Sequence, residues 1–154
     1  IFSAAMGKSD KKKRKSSSAV AAVDQPTAVY LSPIAKPLAN EKQTKKLLRL
    51  TKKASKEKQL RRGVKEVVKA IRKNEKGLCL IAGDISPIDV ITHLPVLCEE
   101  SEISYIYVPT KQALGAASST KRPTSCVLIT CAKNASFKDA FDTCVESVKE
   151  TTAQ

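Results

Sequence analysis

A continuous apolar run at residues 78–82 is the feature that most constrains the fold of this chain. Five consecutive apolar residues are enough for a short strand, and no polar side chain alternates with them. A strand of this kind is typically buried on both faces, beneath helices that cover the sheet on each side. The run therefore predicts a central strand with helices above and below it.

Helix and strand patterns alternate around this run. We predict four strands, at residues 58–62, 78–82, 103–108 and 126–130. Apolar residues at helical spacing predict helices at residues 40–53, 64–76, 86–97, 110–114 and 136–148. The expected fold class is α/β, a three-layer α/β/α sandwich around a four-stranded mixed sheet whose strands are mostly parallel.

Capping residues and glycines set the predicted helix boundaries. Asn40 is suited to be the N-cap of the first helix. Residues 86–89 and 136–139 each match a capping box that opens a helix. Gly77 and Gly115 are expected to end the second and fourth helices.

Charge divides the chain into two parts. Residues 1–62 contain seventeen Lys or Arg against four acids, whereas residues 63–154 contain eleven of each. The formal net charge of +13 therefore lies in the first part, which favours a polyanionic partner. Residues 1–39 show little amphipathic periodicity, so we expect a disordered basic tail there, followed by one α/β/α domain at residues 40–154.

Five consecutive cations lie within the predicted tail. Their mutual repulsion opposes compact structure and suits binding in an acidic groove. Such a run is typical of a nuclear localisation signal or a nucleic-acid-binding arm, and a solvated tail without a receptor is the alternative. The cations are Lys11, Lys12, Lys13, Arg14 and Lys15.

The sequence offers little material for catalysis or for binding a cofactor. The single histidine, His93, has no identifiable partner that would orient it as a general base. No Cys/His spacing fits a zinc site and no glycine-rich phosphate loop is present, so we expect no metal and no cofactor. No apolar run approaches the ~20 residues that span a bilayer. We expect a non-catalytic protein without a membrane partner; the alternative is an RNA-modifying enzyme that uses Cys131 or His93.

The cysteines form an odd set without a Cys-x-x-Cys pair. This pattern is typical of reduced, mostly buried thiols in an intracellular protein. The five residues are Cys79, Cys98, Cys126, Cys131 and Cys144.

The strongest binding signal is a cationic turn that leads into a helix N-terminus. Exposed N–H groups at that end attract phosphate, and a glycine lets a nucleic-acid backbone approach. A solvated face on which Glu66 pairs with Lys69 is the alternative. The candidate RNA-binding residues of this segment are Arg61, Arg62, Gly63, Lys65, Glu66 and Lys69.

Two further turns are expected at the same end of the sheet. Asp84 follows the central strand, and a loop of small residues ends in Lys121 and Arg122. No aromatic side chain lies in these turns, so recognition should use cations on phosphates rather than base stacking. The additional candidates are Asp84, Ile85, Ala117, Ser118, Ser119, Thr120, Lys121 and Arg122.

Four segments together resemble one known family. Residues 62–70, 81–87, 93–99 and 107–117 are similar to motifs of the L-seven-Ae family of kink-turn RNA-binding proteins, and the similarity extends over about residues 40–150. The resemblance implies an α/β/α sandwich with a non-catalytic role, and favours the members found in H/ACA ribonucleoproteins.

Such a member would bind guide RNA beside a dyskerin-type pseudouridine synthase and its small scaffold subunits. The resemblance thus implies a nuclear and nucleolar protein, monomeric when alone, that supports pseudouridylation of ribosomal RNA, ribosome biogenesis and telomerase RNA assembly. Box C/D, spliceosomal and ribosomal members of the family are the alternatives. A protein-interaction module with an acidic patch at Glu99, Glu100 and Glu102 is another.

The resemblance also implies roles for individual residues. The family's RNA surface falls on Gly63, Lys65, Glu66 and Lys69, on Asp84 and Ile85, and on residues 117–122, and the glutamate at position 66 reads guanines of sheared G·A pairs. Lys65 replaces the family's asparagine, and Thr120 stands where many members have an apolar residue. A donor-only ammonium cannot reproduce the asparagine pattern, so we expect weakened kink-turn discrimination.

Overall fold

The structure is a computed structural model that describes residues 30–131 and 135–153. The predicted localisation signal at residues 11–15, and most of the predicted tail, lie outside the described residues. Within the described ranges, no helix is both long and apolar enough to cross a bilayer.

Four strands form one sheet in the order β1–β4–β2–β3. The strands are β1 (Leu60–Arg62), β2 (Gly77–Ala82), β3 (Ser104–Val108) and β4 (Cys126–Thr130). The helices are α1 (Glu41–Lys56), α2 (Val64–Arg72), α3 (His93–Glu100), α4 (Lys111–Ala117) and α5 (Lys138–Thr152). Helix α1 packs with α4 and α5, whereas α2 packs with α3, which gives the predicted three layers.

Strand β2 is the central strand that the apolar run predicted. It pairs with β4 on one side and with β3 on the other, and residues 78–82 are all buried. The predicted strand at 126–130 is likewise confirmed as β4. Layers of helices on both faces explain why this segment carries no polar side chain.

The sheet is mixed, as predicted, and β1, β2 and β3 run in the same direction. The expectation of mostly parallel strands fails for the strand pairs, because only β2 and β3 form a parallel pair and the inserted β4 is antiparallel to both β1 and β2. The reason for the direction of β4 is the short connection between β3 and β4. The N–H of Thr124 donates to the carbonyl of Lys111 at 3.3 Å, so the chain returns to the edge at which β3 ended and enters β4 in the reverse direction.

Two predicted helix ends differ from the structure. Helix α2 ends before Asn74, which adopts a left-handed φ of 58°, and not at Gly77. The backbone N–H groups of Asn74 and Glu75 donate to the carbonyls of Ile71 and Ala70, respectively. These are the hydrogen bonds of a Schellman motif. Helix α4 continues through Gly115, where a Cβ would collide with the carbonyl oxygen of Arg122. This glycine is thus required for packing rather than for ending the helix.

The two predicted capping boxes are also absent from the described structure. Residues 88–90 form only a 3₁₀ turn, and α3 begins at His93. Pro95 lies in the first turn of α3, where a missing N–H costs no helical hydrogen bond. The Ser136 hydroxyl donates to the carboxylate of Glu57 instead of capping α5. At Ser136 a tertiary contact thus replaces the local one.

Residues 30–39 differ from the predicted disordered tail because they pack against the sheet. The N–H of Ser32 donates to the Gly83 carbonyl at 2.8 Å, and that of Ala39 to the Tyr107 carbonyl at 2.9 Å. Leu38 forms an isolated parallel bridge with Tyr107. The segment covers part of the outer edge of β3, a contact between distant positions that periodicity cannot predict.

Four of the five cysteines, Cys79, Cys98, Cys126 and Cys144, are buried thiols outside any disulfide, as predicted. Burial raises the pKa of Cys126 to about 12. The pKa of Cys79 is raised by a hydrogen bond with Cys98 and by burial. Cys131, which follows β4, is half-buried. Burial thus protects most of the thiols from deprotonation.

We therefore expect a thiol reagent near neutral pH to modify Cys131 first and the other cysteines only on unfolding, because Cys131 is the one cysteine among the described residues that is not buried. Mass spectrometry after timed maleimide treatment checks the expectation, and Cys131→Ser should remove the rapid adduct. Equally rapid modification of several cysteines in folded protein would contradict the packing described above.

Candidate nucleic-acid interface

One edge of the sheet collects the three turns that the sequence singled out. Strands β1 and β2 both end at this edge, and antiparallel β4 begins there. We call the edge the rim and define it as residues 61–65, 83–85 and 117–125. The predicted convergence of the turns is therefore present in the structure.

Hydrogen bonds hold the three turns of the rim together. The N–H of Gly63 donates to the Cys126 carbonyl at 2.9 Å, and the N–H of Ala82 to the Ser125 carbonyl at 2.8 Å. The Arg62 guanidinium donates through Nη1 to the Ser118 carbonyl at 3.0 Å. Because the loop before β4 is bound on both sides, its cations keep a fixed position relative to α2.

Gly63 makes the rim accessible at the start of α2. Its φ of 86° is strained for other residues, and no atom lies within 4 Å of the position that a Cβ would take. The first N–H groups of α2 have no partner within the helix and carry the positive end of its dipole. Open space in front of this end suits the approach of an anion.

A cavity of about 500 Å³ lies between the turn that joins β1 to α2 and the loop before β4. Arg62, Lys121 and Arg122 line it together with Gly63 and Thr120. The Thr120 hydroxyl lies 3.0 Å from the Gly115 carbonyl oxygen and 3.2 Å from that of Arg122, so its proton is used within the loop. No carboxylate of the described residues lines the cavity, which leaves it strongly cationic.

The exposed side of α2 continues the cationic surface. Lys65, Glu66 and Lys69 are exposed, and among the described residues neither lysine forms an ion pair. The Glu66–Lys69 pair of the solvated-face alternative is thus not formed. Arg61 instead pairs with Glu75 at 3.3 Å. The two lysines therefore remain available to phosphates.

Several predicted RNA-binding residues have side chains that solvent does not reach. Ile85, Ala117 and Ser118 are 7%, 1% and 0% exposed, respectively. The Ser118 hydroxyl donates to the Leu114 carbonyl at 2.7 Å. Asp84 is half-buried, and its Oδ1 accepts the N–H of Lys111 at 2.9 Å. In this structure the four residues shape the rim rather than present their side chains to a ligand.

Sequence analysis missed Ser55, a residue of α1 that supports the rim. Its hydroxyl lies 3.2 Å from the Ser119 hydroxyl and 3.4 Å from the Ser118 carbonyl oxygen. Ser119 itself is exposed with a φ of 60°. The sequence contains no signal for this support, because 63 positions separate Ser55 from Ser118.

The structure separates the two residues of the enzyme alternative. His93 is exposed at the start of α3, beside α2, whereas Cys131 follows the end of β4, which is opposite the rim. The acidic patch is partly paired as well. The Tyr105 hydroxyl donates to Glu99 at 2.8 Å, and Glu102 lies 3.8 Å from Lys76.

Comparisons with known proteins agree with this geometry. The model of the ribosomal protein L7Ae/L30e/S12e/Gadd45 family matches residues 45–138. An H/ACA ribonucleoprotein complex subunit 2-like protein of Arabidopsis thaliana is 62% identical over 102 residues, which cover 66% of this chain and 65% of that protein. A protein of the same name in Xenopus tropicalis is 53% identical over 120 residues, which cover 78% of this chain and 79% of that protein.

A solved structure gives the same result at the level of the fold. The Giardia lamblia 15.5kD RNA binding protein superposes with a TM-score of 0.74 at 30% identity, over 79% of this chain and 99% of that chain. The resemblance inferred from the sequence is thereby confirmed. The chain belongs to the ribosomal protein L7Ae/L30e/S12e/Gadd45 family and is a homologue of H/ACA ribonucleoprotein complex subunit 2.

Proposed function

We propose that this chain is the RNA-binding, non-catalytic subunit of an H/ACA ribonucleoprotein and that its rim binds the guide RNA. The observation that carries the proposal is a cationic surface at one edge of the sheet. Lys65, Lys69, Lys121 and Arg122 lie on this surface without an acidic partner among the described residues. The names of its relatives in plants and amphibians support the same assignment.

The rim suits a folded RNA for three physical reasons. Lysine and arginine side chains bind phosphates, and the N-terminus of α2 adds unpaired N–H donors. Glu66 is the exposed acceptor on the same surface, so it can receive hydrogen bonds from guanine edges. The loop before β4 is held in place by hydrogen bonds, so it sets the distance between its own cations and the lysines of α2.

In the proposed particle a dyskerin-type pseudouridine synthase supplies the catalysis, and its small scaffold subunits are further partners. The chain would place the guide RNA, and would thereby support pseudouridylation of ribosomal RNA, ribosome biogenesis and telomerase RNA assembly. We propose localisation to the nucleus and nucleolus, with residues 11–15 as the import signal.

A box C/D or spliceosomal kink-turn protein is the second candidate. The Giardia RNA binding protein shares the fold at 30% identity, which agrees with either candidate. The greater identity to H/ACA subunits, at 62% and 53%, favours the first candidate. Lys65 in place of the family's asparagine also favours it.

We expect the full chain to prefer a kink-turn RNA over a plain stem-loop by less than about a hundredfold, because Lys65 supplies charge in place of an amide. Fluorescence anisotropy titrations of both RNAs at the same salt concentration measure the ratio. A larger preference would contradict the argument from Lys65.

Three variants separate base reading from phosphate binding. Lys65→Asn should raise the kink-turn preference, and Glu66→Ala should lower it. Lys69→Ala should weaken the binding of both RNAs alike. It should also reduce the magnitude of the slope of log affinity against log salt by about 1. Unequal losses for the two RNAs in Lys69→Ala would show that the lysine reads more than phosphate.

The affinity should fall steeply with salt if the rim neutralises phosphates. About four to six phosphate contacts predict a slope of log affinity against log salt of roughly −3 to −5. Titrations between low and physiological salt measure this slope. A flat response would refute the electrostatic basis of the proposed function.

A further inference from the structure

A second cationic groove lies along α2, on the side that faces the start of α3. Its volume is about 580 Å³. Lys65 and Lys69 belong both to this groove and to the cationic surface beside the rim. The groove is lined by Val64, Lys65, Val68, Lys69, Arg72, Lys73 and His93.

The spacing of these residues explains why they form one continuous groove. Five positions on α2 and its C-cap residue, Lys73, recur as adjacent pairs four residues apart, so they occupy one face of the helix. At 1.5 Å per residue the face extends over about 13 Å. Val67, Ala70 and Ile71 are buried and fix the opposite side of α2 to the core.

The charge of the groove favours a polyanion. Four of its lining side chains are cationic, and none is acidic. The nearby carboxylates, Glu66 and Glu75, line a separate depression of about 170 Å³ together with Arg61. Lys69 and Lys73 stand between the two depressions, whereas Lys65 and Arg72 line only the groove.

The floor of the groove is apolar, which a purely phosphate-binding surface would not need. Val64 and Val68 are half-buried and lie between the cations, and the exposed imidazole of His93 faces them from α3. Covering apolar surface stabilises a complex because it removes that surface from water. A nucleobase provides a flat apolar face joined to a phosphate, which matches such a floor with cationic walls.

We propose that this groove binds an unpaired segment of the RNA whose folded part occupies the rim. The bases of that segment pack on Val64, Val68 and His93, and its phosphates contact Lys65 and Arg72. The inference rests on the proposed function, because Lys65 and Lys69 join the two surfaces. It extends the RNA contact to Arg72, Lys73 and His93, which belong to none of the three turns.

The test compares three RNAs that share one folded hairpin. One is blunt, the second carries a four-nucleotide oligouridine extension at the 5′ end, and the third carries the same extension at the 3′ end. We expect one of the extended hairpins to bind the full chain about tenfold more tightly than the blunt hairpin in anisotropy titrations. An extension that adds no affinity at either end would overturn the inference.

Two groove variants and one control assign the gain to the groove. Arg72→Gln with Lys73→Gln removes two charges, and Val68→Ser alters the floor without changing charge. Both should abolish most of the gain and leave the affinity for the blunt hairpin within about twofold. The control, Lys138→Gln with Lys149→Gln on α5, removes two charges from the opposite layer and should preserve the gain.

The outcomes separate the two proposals. If the groove variants weaken the blunt and extended hairpins equally, the groove inference fails and the proposed function stands. If the blunt hairpin does not bind but the extended one does, and the groove variants remove that binding, the role of the rim fails, whereas the binding of unpaired RNA by the groove stands. Thermal melting of each variant checks its folding, and the charge variant remains informative if Val68→Ser is unstable.

Discussion

The antiparallel insertion of β4 between β1 and β2 is the constraint on which the functional surface depends. Because β4 begins where its two neighbours end, the loop before it lies against the turns that follow β1 and β2. Backbone hydrogen bonds from Gly63 and Ala82 then fix that loop. A parallel β4 would start at the other end of the sheet and would carry Lys121 and Arg122 away from α2.

This geometry separates cations from acids in a region whose charges sum to zero. Residues 63–154 contain equal numbers of cations and acids, yet Lys65, Lys121 and Arg122 at the rim lack acidic partners among the described residues. Glu99 in α3 and Glu102 in the turn before β3 contact Tyr105 and Lys76, respectively. Position, rather than net charge, therefore makes this region suited to a polyanion.

The features that could be predicted from the sequence are those set by local pattern. An apolar run specified β2, and the cationic turn before α2 indicated a site. The antiparallel direction of β4 and the packing of residues 30–39 depend on contacts between distant segments, which periodicity does not encode. The site shows the same limit, because Ile85 and Ser118 look available in the sequence but are enclosed by tertiary packing.

The most direct test of the central claim is ultraviolet crosslinking of the full chain to RNA in cells, with the attached RNA sequenced and the crosslinked peptides identified in the same sample. The account predicts H/ACA guide RNAs, attached to peptides from the N-terminal turn of α2 and the loop before β4. Box C/D RNAs, or crosslinks confined to surfaces remote from the rim and α2, would contradict it.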